Sequence, residues 1–323
     1  MDEKRLAAAL DAVENLKKES GLSQEKAGKL IGVSGAVLST LRSGTYKGDV
    51  ERQVKIIEDY FAVKDRHEET YREVEYADTS ISHRAYEMIK LAHIKGGLAV
   101  FAGDAGIGKT KAAKKYVKDN PTNSYYCVLN PCLTSLKSIL KLVADMVGAR
   151  PERSLYDMWS SIRSRLSDGS VIIFDEAQHL TYRSIEALRA FADSFADDGQ
   201  TLGIVFIGNT ETVQRFGGRQ KAGFAQIANR TKQRLVYTTN NIKREDIALL
   251  FPVLADKGMN AEIDFLLGIA RTQQALRGAV NLFSNAYDND DISLKGLVRM
   301  AKFMEMDLSG LDIKKAKGQR NET

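Results

Sequence analysis

Cysteine is scarce in this chain, with two residues among 323, Cys127 and Cys132. So few thiols exclude a disulfide-stapled fold, and both are expected as reduced core thiols near a buried strand. Histidine is nearly as scarce, and the four residues show no metal-ligand spacing. No apolar run approaches the length of a membrane span, and the opening segment MDEKRLAAALDAVENLKK lacks the apolar core of a signal peptide. A cytoplasmic protein with no membrane contact is expected. There are no internal repeats and no low-complexity segment. A strong excess of one charge is missing too. The 47 Lys and Arg against 42 Asp and Glu give a net +5 and a pI near 8.9, which permits nucleic-acid contact without demanding it. What is present is ordinary globular composition, 43% hydrophobic, in a chain long enough for two or three domains.

Three blocks follow one another. Residues 1–65 carry apolar positions at helical spacing, punctuated by Gly21, Gly32 and Gly44. The charged stretch from Lys64 to Glu75 reads as a linker, placed at 66–80, or as a solvated helix. Residues 81–240 alternate short apolar runs with amphipathic segments. The runs are Leu98–Ala102, Tyr125–Leu129, Val171–Phe174, Gly203–Ile207 and Leu235–Tyr237. Val, Ile, Phe and Tyr dominate them and Gly, Asn or Asp bounds them, so the alternation predicts βαβ units and a parallel sheet covered on both faces. Residues 241–308 return to helical patterns with no strand-like run. The tail, 309–323, is basic through Lys314, Lys315, Lys317 and Arg320 and is expected to be a disordered, solvated end.

The chemistry concentrates in the second block. The first apolar run ends at Gly103-Asp104-Ala105-Gly106-Ile107-Gly108-Lys109-Thr110, and a helix-forming stretch follows. Gly-x-x-x-x-Gly-Lys-Thr between a strand and a helix is a P-loop: glycines let the backbone N–H groups curl onto phosphate oxygens, and the helix N-terminus adds positive partial charge. Lys109 is expected to reach the β- and γ-phosphates of ATP, and the Thr110 hydroxyl to ligate Mg²⁺. A later run ends in Asp175-Glu176, which puts two carboxylates at the carboxyl edge of the sheet, where ligands bind in such folds. Asp175 is expected to hold the Mg²⁺ shell and Glu176 to polarise the attacking water. The bland alternative is that the pair caps a helix from Gln178 to Phe195. A third run ends in Asn209, suited to the lytic water or a γ-phosphate oxygen, although Asn after Gly is also ordinary turn chemistry.

This order of P-loop, Asp-Glu strand, Asn strand and helical carboxyl-terminal block resembles the AAA+ ATPases. The resemblance implies an arginine supplied to the γ-phosphate by a neighbouring subunit, for which Arg230 in Ala228-Asn229-Arg230 is the first choice and Arg234 the second. It also implies a lid arginine acting in cis, Arg277 in Ala275-Leu276-Arg277-Gly278-Ala279. Arg215 and Arg219 are read as surface residues. A homo-oligomer, ring or helical filament according to whether the rotation closes, is implied as well.

In the first block, Ser23 is positioned to cap a helix reaching about Leu30 that ends at Gly32, and Ser34 to cap a second over Gly35–Arg42 that stops at Gly44. Two short helices joined by a Gly-containing turn predict a helix-turn-helix, packed through Ala27, Leu30, Ile31, Val33, Val37, Leu38 and Leu41. It resembles the phage-repressor type. The second helix would offer Ser34, Ser39 and Thr40 to a groove, with Arg42, Tyr46 and Lys47 near phosphates. The side chains are small, so weak base readout is expected. A helical hairpin for protein contact is the alternative.

The pairing of such a unit with a compact AAA+ core resembles the family of phage Mu transposition protein B. Tyr46-Lys47-Gly48-Asp49-Val50-Glu51-Arg52, Asp175-Glu176-Ala177, and Gly217-Gly218 before Phe224-Ala225-Gln226 carry the resemblance. It implies an ATP-dependent activator that assembles on double-stranded target DNA, largely without sequence preference. It also implies delivery to a transposase that stimulates hydrolysis, in a bacterial host's cytoplasm if the protein is phage-encoded. Arg150, Arg153, Arg163 and Arg165, in the basic segment before the acidic strand, are the expected DNA-facing residues, against the alternative of a solvated helix. The carboxyl-terminal helices and tail are the implied transposase contact. Rival readings are a helicase loader or secretion-associated ATPase, and a nucleotide-regulated helix-turn-helix repressor.

Overall fold

The five apolar runs become the five strands of one sheet in the computed structural model, which describes residues 3–69, 71, 74–133, 135–212 and 231–309. They are β1 (Gly97–Gly103), β2 (Ser124–Val128), β3 (Ser170–Asp175), β4 (Leu202–Gly208) and β5 (Thr231–Tyr237). All pairings are parallel and the spatial order is β2-β3-β4-β1-β5. The three central strands, β3, β4 and β1, are buried almost throughout, which is why they read as continuous apolar runs. The edge strand β5 alternates half-buried and exposed residues, so its sequence signal is short.

The intervening segments are helices: α5 (Ser80–Lys95), α6 (Lys109–Asp119), α7 (Leu136–Val147), α8 (Leu155–Arg165) and α9 (Tyr182–Asp197). Most begin at a hydroxyl cap that accepts the N3 backbone N–H, at Thr79, Ser135, Ser154 and Thr181. Helices α7, α8 and α9 bury Ile139, Val143, Ile162, Leu188 and Phe191 against Val100, Ile172, Phe174, Ile204 and Phe206 of the sheet. Each such aliphatic or aromatic side chain contributes about 1.5–3 kcal/mol relative to exposure. Helix α5 packs on β1 and β4. The stretch after the acidic pair is not one helix from Gln178. A short 3-10 turn, Ala177–His179, comes first, and α9 starts only after Thr181 caps it.

The carboxyl-terminal block is helical, as α10 (Arg244–Leu250), α11 (Pro252–Asp256), α12 (Asn260–Ala270), α13 (Ala275–Tyr287) and α14 (Leu294–Phe303). Phe251 and Phe283 pack against each other in its core, with centroids 4.6 Å apart and ring planes tilted by 40°. The buried Asp246 of α10 ties this block to the start of α5. Its carboxylate accepts from the Ser80 N–H (2.6 Å), the Ser80 hydroxyl (2.8 Å) and the Lys243 N–H (2.8 Å). Asp246→Ala leaves these donors unsatisfied, and the expected cost is about 2–3 kcal/mol, read as a fall in thermal midpoint of about 5 °C or more.

Backbone proximity separates a first unit, Met1–Arg72, from the rest. It contains α1 (Glu3–Ser20), α2 (Gln24–Ile31), α3 (Gly35–Arg42) and α4 (Val50–Glu69). Helix α4 therefore continues past residue 65 into the stretch read as a linker. Ser23 and Ser34 cap α2 and α3, and Gly32 ends α2 in a left-handed conformation. Gly28 is fixed by sterics: a Cβ there would sit 2.4 Å from the Val33 carbonyl oxygen and 3.0 Å from the Gly35 nitrogen, so only glycine lets α3 start this close to α2. Val13, Leu16, Ile31, Val33, Leu38, Val54 and Ile57 form its core. Leu30, expected in the helix-pair packing, is instead exposed, one position off the buried face. Cys127 is a buried free thiol whose pKa burial pushes up to about 12, but Cys132 is exposed in the loop after β2 and is not a core residue.

Candidate nucleotide site

Strand β1 delivers Gly103 to the sheet edge, and the loop to Gly108 turns directly into α6 at Lys109. Gly106 and Gly108 both have positive φ, +76° and +101°, which a side chain would strain. The Lys109 ammonium is buried and folds back on its own loop, donating to the Gly103 and Asp104 carbonyls at 2.7 and 2.6 Å. Burial lowers its pKa, a trend opposed by Asp175, Glu176 and Asp104 and reinforced by Arg277. Asp104 braces the loop by accepting from the Thr239 N–H at 2.8 Å.

Strand β3 places Asp175 beside this loop. Its Oδ2 accepts from the Thr110 hydroxyl at 2.6 Å and from the Tyr126 hydroxyl at 2.9 Å, and its Oδ1 accepts from the Glu176 N–H at 2.9 Å. Glu176 follows in a left-handed conformation, φ +57°, which turns its carboxylate out into the cleft. Gln178 then links two strand ends. Its Nε2 donates to Glu176 Oε2 at 2.5 Å, and its Oε1 accepts the Asn209 N–H at 3.4 Å. Asn209 lies at the end of β4, where its own Oδ1 accepts the Glu211 N–H.

The cleft over the P-loop is walled by the start of α5 (Ala77, Thr79, Ser82), by Glu176, and by Leu250, Leu276, Arg277 and Val280 of the helical block. Arg277 sits at the start of α13, whose approach is so close that a Cβ on Gly106 would meet the Cβ atoms of Ala275 and Arg277 at 3.2 Å. Phosphate-sized polar donors thus meet an apolar wall suited to a flat base. The wall residues Leu250, Leu276 and Val280, and the bridging Gln178 and Tyr126, carry no sequence signal of their own. They are ordinary apolar-stripe or strand positions until the fold brings them to one place.

Residues 93–216 match the AAA domain family model. The chain is 26% identical over 253 residues to ATP-dependent target DNA activator B of Escherichia phages D108 and Mu, covering 76% of this chain and 77% of theirs. It is 28% identical over 205 residues to the Mu-like prophage FluMu DNA transposition protein B of Haemophilus influenzae, covering 62% and 69%. Over most of its length the chain resembles the phage Mu transposition protein B family. Its fold is the AAA+ fold, and a point mutant of Thermotoga maritima RuvB superposes with a TM-score of 0.50 at 15% identity over 76% of this chain and 78% of that one.

The remaining expected residues fall into four groups. Arg230, Arg215, Arg219, the Gly217-Gly218 and Phe224-Ala225-Gln226 features and the basic tail lie outside the described residues. Arg234 is exposed in the middle of β5. Of the basic segment, Arg150, Arg153 and Arg165 are exposed, whereas Arg163 is engaged within the fold: it lies 3.6 Å from the Phe195 ring centroid and donates to Asp198 at 2.6 Å and Gln200 at 3.1 Å. In the first unit, Ser34 Oγ is the α3 cap, Ser39 accepts from Gln24, Thr40 donates to the Ala36 and Val37 carbonyls, and Arg42 pairs with Glu14. Lys47 is exposed. Among the described residues, no helix is long and apolar enough to cross a membrane.

Proposed function

We propose that the protein is an ATP-dependent, Mg²⁺-dependent DNA-binding ATPase that oligomerises on double-stranded target DNA and delivers it to a transposase. The observation that carries the reading is the convergence in one cleft of Lys109, Thr110, Asp175, Glu176 and Arg277, in a chain related to proteins named as ATP-dependent target DNA activators. The Thr110 and Asp175 pair fits magnesium: two hard oxygen donors 2.6 Å apart at a phosphate loop, which is as much as this ion takes from a protein that also holds a nucleotide. Thr110 and Asp175 would hold the ion, which would supply positive charge against the negative charge that develops on the phosphates.

The chain's own groups do the rest. Backbone N–H groups of Gly103–Thr110 cradle the phosphates, and Lys109 exchanges its two loop carbonyls for phosphate oxygens. Glu176 orients the attacking water, and Asn209 holds that water or a γ-phosphate oxygen. Arg277 reaches the γ-phosphate from the helical block. Arg230 of a neighbouring copy completes the site, with Arg234 the second choice, so ATP binding and assembly are one equilibrium. The α2–α3 pair is a helix-turn-helix that contacts DNA mainly through phosphates, with Lys47 nearby. The small hydroxyls on α3 are already spent on its own backbone, on its cap and on Gln24, which supports weak base readout. In the core, Arg150, Arg153 and Arg165 remain the DNA-facing candidates, and the engagement of Arg163 removes it from that set.

The test is binding to random-sequence duplex DNA with ATP, with ADP and without nucleotide, followed by imaging. The expected result is ATP-dependent, sequence-tolerant assemblies that weaken steeply with salt. A single-operator complex indifferent to ATP would overturn the proposal and favour a repressor.

A further inference from the structure

The side chain of Tyr126 has no place in the phosphate loop, yet its hydroxyl donates to the same oxygen of Asp175, Oδ2, that takes the Thr110 hydroxyl. Strand pairing explains the reach. Tyr126 lies opposite Ile173 in the β2–β3 register and Val128 lies opposite Asp175, so Tyr126 and Asp175 are diagonal neighbours on adjacent strands. That is a separation a tyrosine ring spans and shorter side chains do not. Together with the Glu176 N–H on Oδ1, the Asp175 carboxylate is held by three donors from three directions: its own strand end, the phosphate loop and the neighbouring strand. The tyrosine is half-buried, and its hydroxyl is the donor in this bond.

We propose that Tyr126 is a positioning residue for the metal-binding carboxylate: its hydroxyl holds Asp175 in the orientation that receives Mg²⁺ together with Thr110. The inference rests on the assignment of Thr110 and Asp175 to the metal. Thr110 can offer an oxygen lone pair to the ion while its hydrogen still bonds Asp175, and Tyr126 and the Glu176 N–H brace the same carboxylate from the two strands. A purely structural tyrosine would affect folding and all nucleotide binding alike. A positioning tyrosine affects only the metal-dependent part.

The experiment measures binding of a fluorescent, non-hydrolysable ATP analogue to the full chain by anisotropy, first in EDTA and then across a Mg²⁺ titration, for the wild type, Tyr126→Phe and Thr110→Ala. The phenylalanine keeps the ring and its packing and deletes only the donor. For Tyr126→Phe the expected result is wild-type affinity in EDTA, an unchanged thermal midpoint, and a Mg²⁺ midpoint raised about 3- to 10-fold, the scale of one hydrogen bond to a charged group. Loss of the donor also frees a lone pair on Asp175 Oδ2, which acts in the opposite sense. A Mg²⁺ midpoint that is unchanged or lower, while Thr110→Ala raises it, therefore overturns the role of Tyr126 and leaves the metal assignment standing. A Mg²⁺ midpoint insensitive to Thr110→Ala overturns the assignment itself. Equal weakening of Tyr126→Phe in EDTA and in Mg²⁺ assigns the tyrosine to packing and also overturns the proposal.

Discussion

Lys109→Ala is expected to weaken ATP binding by on the order of 10²-fold or more and to abolish ATP-dependent DNA binding. The ammonium is buried at the phosphate loop and bonded to two backbone carbonyls that a phosphate can replace. Each charge-assisted bond to a phosphate oxygen is worth about 1.5–3 kcal/mol, and losing two of them corresponds to a hundredfold or more in dissociation constant, at about 1.4 kcal/mol per tenfold. The same substitution removes a desolvated cation, so the fold itself is not expected to suffer. Burial lowers its pKa, a sign that the loop holds the charge at some cost. Calorimetric titration of ATP onto the variant checks the prediction, with duplex binding in ATP as the second readout. Retained ATP affinity would remove Lys109 from the phosphate site and with it the basis of the nucleotide assignment.

Glu176→Gln is expected to separate binding from turnover. The side chain leaves the sheet edge in a left-handed turn and lines the same cleft as Lys109 and Thr110. An amide of the same shape keeps the cleft's walls and the bond to Gln178 through its oxygen. It cannot take a proton from, or polarise, an attacking water. Turnover is expected to fall by about 10²- to 10⁴-fold, the range of a positioned general base, while ATP affinity stays within a few-fold of wild type. In the proposed cycle such a variant forms DNA assemblies in ATP and does not release them. Phosphate release and light scattering on duplex DNA measure the two halves. Normal hydrolysis by this variant would sink the catalytic assignment.

Gln178 connects these results to the rest of the sheet. It donates to Glu176 and accepts from the Asn209 backbone, so the acid at the end of β3 and the amide at the end of β4 share one side chain. Asn209 and Glu176 are thereby two hydrogen bonds apart, through Gln178.

Much of this molecule was legible in its sequence because the physics involved is local. The P-loop reads directly, since phosphate cradling needs glycines, a lysine and a helix start within eight consecutive residues. The central strands read as apolar runs because both faces of a parallel sheet are covered, and the caps at Ser23 and Ser34 read because a hydroxyl three residues before an N–H is a short-range bond. Where burial depends on which neighbour arrives, the sequence misled. Leu30 and Leu38 look alike in the pattern, but the turn at Gly32 sets the crossing of α3 and leaves Leu30 in solvent. Cys132 looked like a core thiol from its distance to β2, yet the loop turns outward. Arg163 reads as a DNA-facing residue, and the return of the chain past Phe195 and Asp198 gives it partners within the fold. The apolar wall of Leu250, Leu276 and Val280, the Asp246 tie and the Tyr126 bond to Asp175 belong to the tertiary structure alone. Each joins residues that are far apart in the chain or on neighbouring strands, and nothing in a local pattern encodes a distance that only packing brings about.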